Sequence, residues 1–154
     1  MKVGTWIVSL AGLVAALAVT APVAMAQEGA KAKVSVWSGV YTAAQSKRGE
    51  ELYSDACTHC HGLRLNGAAQ SDQPPSPAIA GATFLRKWAG QPVAALFDYV
   101  HTKMPPDNPG SVTAQQSIDA IAHMFAVSTM PAGDKELPPD PKALADLVIE
   151  AESK

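Results

Sequence analysis

The 154-residue sequence predicts an all-α domain with long loops. Three observations carry that expectation. Thr42 and Thr113 are each followed three residues later by Gln (Gln45 and Gln116), the capping-box signature of a helix start. Behind the second pair, Ile118, Ile121, Ala122 and Phe125 recur at i, i+3, i+4 and i+7, one face of a helical period. Between such segments lie Pro- and Gly-rich stretches, and no run alternates apolar and polar residues as a half-buried strand does.

The chain divides into four parts. Residues 1–26 have the anatomy of a secretory signal peptide: Lys2 as a short positive start, an apolar run over 6–19, Pro22 as a break, and Ala24-Met25-Ala26 as a small-x-small cleavage site. That apolar run is shorter than the roughly 18 to 20 residues of a membrane span, so no span is expected after cleavage; an uncleaved anchor is the competing reading. Residues 27–41 form an extended leader laid over the domain through Val34, Val36, Trp37, Val40 and Tyr41. Residues 42–130 are the core domain, and residues 131–154 a Pro-rich C-terminal extension ending in a short helix from about 142 to 150.

Within the core, a first helix runs from 43 to about 55, with Gly49 and Tyr53 four apart on one face. Residues 62–81, with Pro74-Pro75-Ser76-Pro77, are loop. A helical turn follows at 83–89. The next helix has Pro92 in its first turn, reaches about 102, and turns Val93, Leu96, Phe97 and Val100 inward. Residues 104–110, rich in proline, cannot be helix. The last core helix opens at Thr113.

Once the leading segment is removed, the chain is sized for one small domain. Residues 27–130 carry eight basic and eight acidic side chains, while residues 131–154 carry six acids against three lysines. A neutral core with a mildly acidic tail has no nucleic-acid footprint.

Chemistry concentrates in Cys57-Thr58-His59-Cys60-His61, which uses both cysteines of the chain. C-x-x-C-H reads as a c-type haem attachment site. Each thiol can add across one porphyrin vinyl group, and the adjacent His61 is then held where its imidazole can ligate the iron. A zinc site would have to recruit His101, His123 or carboxylates, with no second paired motif. A redox dithiol would need a βαβ setting that the pattern lacks.

Helix, C-x-x-C-H, Pro/Gly loop, helix, Met-Pro loop, C-terminal helix: over about residues 42–128 this order resembles a class I cytochrome c. The resemblance implies three to five helices wrapped around one covalently attached haem. It implies that the first and last helices cross in contact, a role matched by Gly49, Tyr53, Ile121, Ala122 and Phe125. It also implies Met104, just before the last helix, as the sixth iron ligand beside His61. His101 competes through bis-His ligation, Met130 because it also precedes a proline, and Met124 is expected in the core. The family's proximal histidine donates from Nδ1 to a proline carbonyl in the following loop. Here Pro77 is the candidate, with Pro74 and Pro75 competing. Trp88 is placed either at the propionate edge or in the core. His59 is expected at solvent, and His123 at the surface or on a helix face.

These assignments imply a periplasmic one-electron carrier rather than an enzyme, with heme c as its iron-bearing cofactor. Redox proteins are its expected partners, with a quinoprotein dehydrogenase as the candidate donor and a terminal oxidase as the candidate acceptor. Two alternatives stay open. The segment 36–42 and the 104–110 loop are similar to small cytochromes that serve quinoprotein alcohol-type dehydrogenases, which suggests a dedicated subunit. A haem sensor or peroxidase-like protein would require Met104 to leave the iron. Arg64, Arg86, Lys87 and Lys103 are candidates for a basic docking rim.

Overall fold

The computed structural model describes Met1, residues 33–67 and residues 76–151. Residues 2–26 of the expected signal peptide, residues 27–32 of the leader, Pro74 and Pro75 lie outside the described residues. Helix dominates: α1 (Ala43–Ala56), α2 (Thr58–His61), α3 (Gly81–Trp88), α4 (Val93–Lys103), α5 (Ala114–Val127) and α6 (Pro141–Leu144). Two short strands, β1 (Val34–Ser35) and β2 (Leu147–Val148), pair in parallel. Among the described residues no helix is long and apolar enough to cross a membrane.

The principal packing is α1 against α5. Ile118, Ile121, Ala122 and Phe125 are all fully buried, as their spacing predicts. Gly49 makes the crossing possible. A methyl group there would fall onto the Asp119 carbonyl and within 3.0 Å of the Ala120 nitrogen, so the two backbones touch where a side chain should be.

The two Thr/Gln pairs behave differently. Thr113 and Gln116 form the full reciprocal box, with bonds of 3.2 and 3.0 Å. Thr42 caps α1 by accepting the Gln45 amide at 3.1 Å, but the Gln45 side chain does not turn back to complete a box. It is fully buried and bonds instead to Leu137. The third helix extends from 81 to 88 rather than beginning at 83. Pro92 is the N-cap of α4 with extended backbone, not a residue of its first turn.

The C-terminal extension departs most from expectation. Its helix is a single turn, α6, capped by Asp140 through the Lys142 amide at 3.0 Å. The chain then becomes extended. Val148 and Ile149 are β-branched and favour that geometry, and their backbone finds partners on both sides. Val34 donates to the Asp146 carbonyl at 2.8 Å, Ile149 donates to Gln91 at 2.9 Å, and Gly90 donates to Ile149 at 2.8 Å. Leu137, Leu144 and Ile149 are completely or almost completely buried, so this segment completes the core. Arg48 ties it further, bonding Asp119 of α5 at 2.9 Å and Glu136 at 2.8 Å. The leader is shaped to match. After β1 it makes a 3-10 turn at Val36–Ser38, and Tyr41 donates its hydroxyl to the Met130 carbonyl at 2.6 Å.

Candidate functional site

The C-x-x-C-H motif is carried on the end of α1. The Cys57 amide still bonds to the Tyr53 carbonyl at 3.0 Å, so the first cysteine continues the helix that packs on α5. The chain then makes the single turn α2, in which His61 donates its amide to the Cys57 carbonyl at 2.9 Å and Cys60 does so at 3.3 Å. Cys57, Cys60 and His61 therefore emerge from one turn. Gly62, at φ +74°, ends that turn, and its carbonyl accepts the buried Tyr53 hydroxyl. Tyr53 thus links the site to the helix crossing.

Both thiols are free and half-buried. Burial, and after it the neighbouring Cys60, push the Cys57 thiol up to about 11. A redox dithiol needs the opposite shift, toward a stable thiolate.

His61 is held from the far side of its ring. Its Nδ1 lies 3.0 Å from the Pro77 carbonyl, and because a carbonyl can only accept, Nδ1 carries the proton. Nε2 is left as the lone-pair nitrogen available to a metal. Two further bonds bring Pro77 into place. Gly67 donates to the His61 carbonyl at 3.0 Å, and Ile79 donates to the Leu65 carbonyl at 2.8 Å.

Met104 caps the C-terminus of α4, its amide bonded to Val100 at 3.2 Å and its side chain half-buried. The competing side chains are engaged elsewhere. Met130 is 3% exposed and packs with the extension and Tyr41 in the core; Met124 is also buried. The His101 Nδ1 donates to the Val112 carbonyl at 2.9 Å, and its ring stacks on Phe97 with centroids 5.7 Å apart, tying α4 to the start of α5. His59 is exposed as expected. Of the two expectations for His123 the structure has the helix face, on α5, and not the surface. His123 is 9% exposed and packs on Tyr53 with ring centroids 5.5 Å apart, because the close α1–α5 approach at Gly49 closes over that face. Burial lowers its pKa below the ordinary value, against a smaller opposing effect from Glu50.

Trp88 ends α3 half-buried, edge-on to Tyr99 at 6.0 Å, and the Lys87 ammonium lies 5.9 Å from each ring centroid. Arg64, Arg86 and Lys103 are exposed. Tyr99, 42% exposed, is a member of this cluster that sequence reasoning missed; nothing in its spacing along α4 distinguishes it.

A family model described as "Cytochrome C oxidase, cbb3-type, subunit III" matches residues 44–124, more than half of the chain. The chain belongs to this family of class I c-type cytochromes. A search of the curated proteins gave no match. Among solved structures the cytochrome is similar to the sulfane dehydrogenase SoxCD from Paracoccus pantotrophus, at 17% identity and a TM-score of 0.48. That match covers 73% of this chain and 61% of the other, so the cytochrome spans about three fifths of its length.

A cytochrome c domain implies heme c and electron transfer. The residues present fit that group. Two unbridged thiols share one turn with a histidine whose Nδ1 is already occupied, and Met104, which carries a thioether, is the C-cap residue of a separate helix at the head of the Pro-rich loop. This donor set is unlike a zinc site: no group of three or more His, Cys, Asp and Glu gathers among the described residues.

Proposed function

We propose that this cytochrome is a one-electron carrier of the periplasm, exported by its first 26 residues and using one haem covalently linked to Cys57 and Cys60. In this reading His61 supplies the proximal ligand and Met104 the distal one. The observation that carries it is the bond of His61 Nδ1 to the Pro77 carbonyl at 3.0 Å, which fixes the ring and reserves Nε2 for iron.

When bound, the haem supplies a single-electron iron couple. The chain's own residues do the rest. Thioether links hold the group in register with α2, and the Pro77 carbonyl keeps the imidazole oriented. Methionine sulfur favours the ferrous state relative to a second imidazole and so raises the potential. Held on the iron, the Met104 sulfur would also keep substrate off the metal, which would separate a carrier from a sensor or a peroxidase-like protein. Trp88 is assigned to the propionate edge. Arg64, Arg86, Lys87 and Lys103 form a basic rim that steers an acidic redox partner, mainly through encounter rate. Such partners include a quinoprotein dehydrogenase as donor and a terminal oxidase as acceptor. The haem-binding residues fall within 42–130, while Val36 of the leader and Leu137, Leu144 and Ile149 of the extension share the same hydrophobic core.

A second reading, stable membership of a redox complex, is favoured by the matched family, which is named for an oxidase subunit. A dehydrogenase complex of that kind is separated from a free shuttle by size-exclusion of the cytochrome mixed with a candidate partner. The primary test is acid–acetone extraction of the purified protein followed by a pyridine haemochrome spectrum. Colour should stay with the protein and the spectrum should be c-type; extractable haem, or zinc in its place, would overturn the proposal.

A further inference from the structure

Gly67 occupies a place where the chain leaves no room for a side chain. Its φ is +73°, in the left-handed region. A methyl group built on it would strike the Ser76 carbonyl oxygen and lie 2.7 Å from the Ala78 nitrogen and 2.8 Å from the Pro77 carbonyl carbon. All three are backbone atoms, so none can rotate aside as the tip of a flexible side chain would. The residue they surround is Pro77, whose carbonyl reaches His61 Nδ1. Gly67 also donates its amide to the His61 carbonyl at 3.0 Å. One glycine therefore contacts both partners of the proximal hydrogen bond.

We infer that Gly67 is a positioning residue for the proximal imidazole: its bare Cα lets residues 76–78 lie against the 62–67 loop, which sets the Pro77 carbonyl on His61 Nδ1. The inference rests on the reading of His61 as the proximal ligand. A hydrogen bond from Nδ1–H raises the basicity of the ligating nitrogen and so favours ferric iron. A side chain at position 67 pushes the 76–78 backbone away, weakens that bond and makes the imidazole a poorer donor. The expected consequences are an upward shift of the midpoint potential and faster solvent exchange of the His61 Nδ1 proton.

Other glycines provide the control. Gly90 has φ +80°, so an alanine there suffers the same backbone penalty, but its methyl would meet nothing within 4 Å. Asparagine tolerates the left-handed region better than alanine, so Gly67→Asn relieves most of the backbone penalty while keeping the clash.

The test compares wild type, Gly67→Ala, Gly67→Asn and Gly90→Ala as haem-loaded proteins. A pyridine haemochrome is read first, so that loss of the c-type spectrum in wild type counts against the ligand reading itself. Midpoint potential and exchange of the His61 Nδ1 proton by nuclear magnetic resonance are read next. Both Gly67 variants should shift the potential upward and speed exchange, while Gly90→Ala should match wild type. A wild-type potential in Gly67→Asn, or an equal shift in Gly90→Ala, would overturn the inference. So would rapid exchange of this proton in wild type, a measurement that requires no variant to fold.

Discussion

The buried Gln45 side chain and the Leu137 backbone bond to each other in both directions, Nε2 donating to the Leu137 carbonyl at 2.9 Å and the Leu137 amide donating to Oε1 at 2.8 Å. One amide side chain in the first turn of α1 thus satisfies both backbone groups of a buried residue in the C-terminal extension. Gln45→Leu keeps similar bulk but leaves that donor and acceptor without partners in the core. An unsatisfied buried group costs about 1–3 kcal/mol, so the two together should cost about 2–6 kcal/mol of stability. Chemical denaturation measures the loss, and faster amide exchange at Leu137 should accompany it. An unchanged midpoint would mean that the extension is held by its apolar residues alone.

Gly49→Ala offers a contest between two effects of opposite sign. In an exposed helix interior the change would stabilise by about 1 kcal/mol. Here the added methyl meets the Asp119 backbone, and overpacking typically costs about 1–3 kcal/mol. The clash involves backbone on both sides, so we expect net destabilisation with separation of α1 from α5. A neutral or stabilised variant would show that the crossing adapts.

His123 makes stability depend on pH in a definite direction. Burial lowers its folded pKa, with Glu50 partly opposing and Lys47 adding to the shift. The unfolded chain, with a histidine near 6.5, therefore takes up the proton first as pH falls. Its contribution is fully present above about pH 6.5 and is lost as pH drops toward the lower folded value. Urea unfolding at pH 7.5 and 5.5 should give a smaller difference for His123→Phe than for wild type. Equal differences would remove His123 from the account.

What the chain reveals to inspection depends on how local the cause is. The motif was legible because Cys57, Cys60 and His61 share one helical turn, and the buried face of α5 because its period is local. Thr42/Gln45 and Thr113/Gln116 carry the same signature, yet only one completes the box. The difference lies in Leu137, 92 residues beyond Gln45, which no local pattern contains. The pairing of Val34–Ser35 with Leu147–Val148 was hidden for the same reason, since each strand is too short to show alternation. Pro77 emerged from family resemblance, whereas Gly67 did not. Its importance comes from backbone approaching through space, and in sequence it is one glycine among several in a loop.

The most direct test of the central claim, a His61/Met104-ligated haem, is the visible spectrum of the oxidised protein and of two methionine variants. Wild type should show the weak red charge-transfer band of methionine bound to ferric iron. Met104→Ala should lose the band, lower its midpoint potential and bind carbon monoxide when reduced. Met130 lies in the core with 3% exposure, so Met130→Ala should cost stability while keeping the band. A band that survives in Met104→Ala and disappears in Met130→Ala would contradict the assignment.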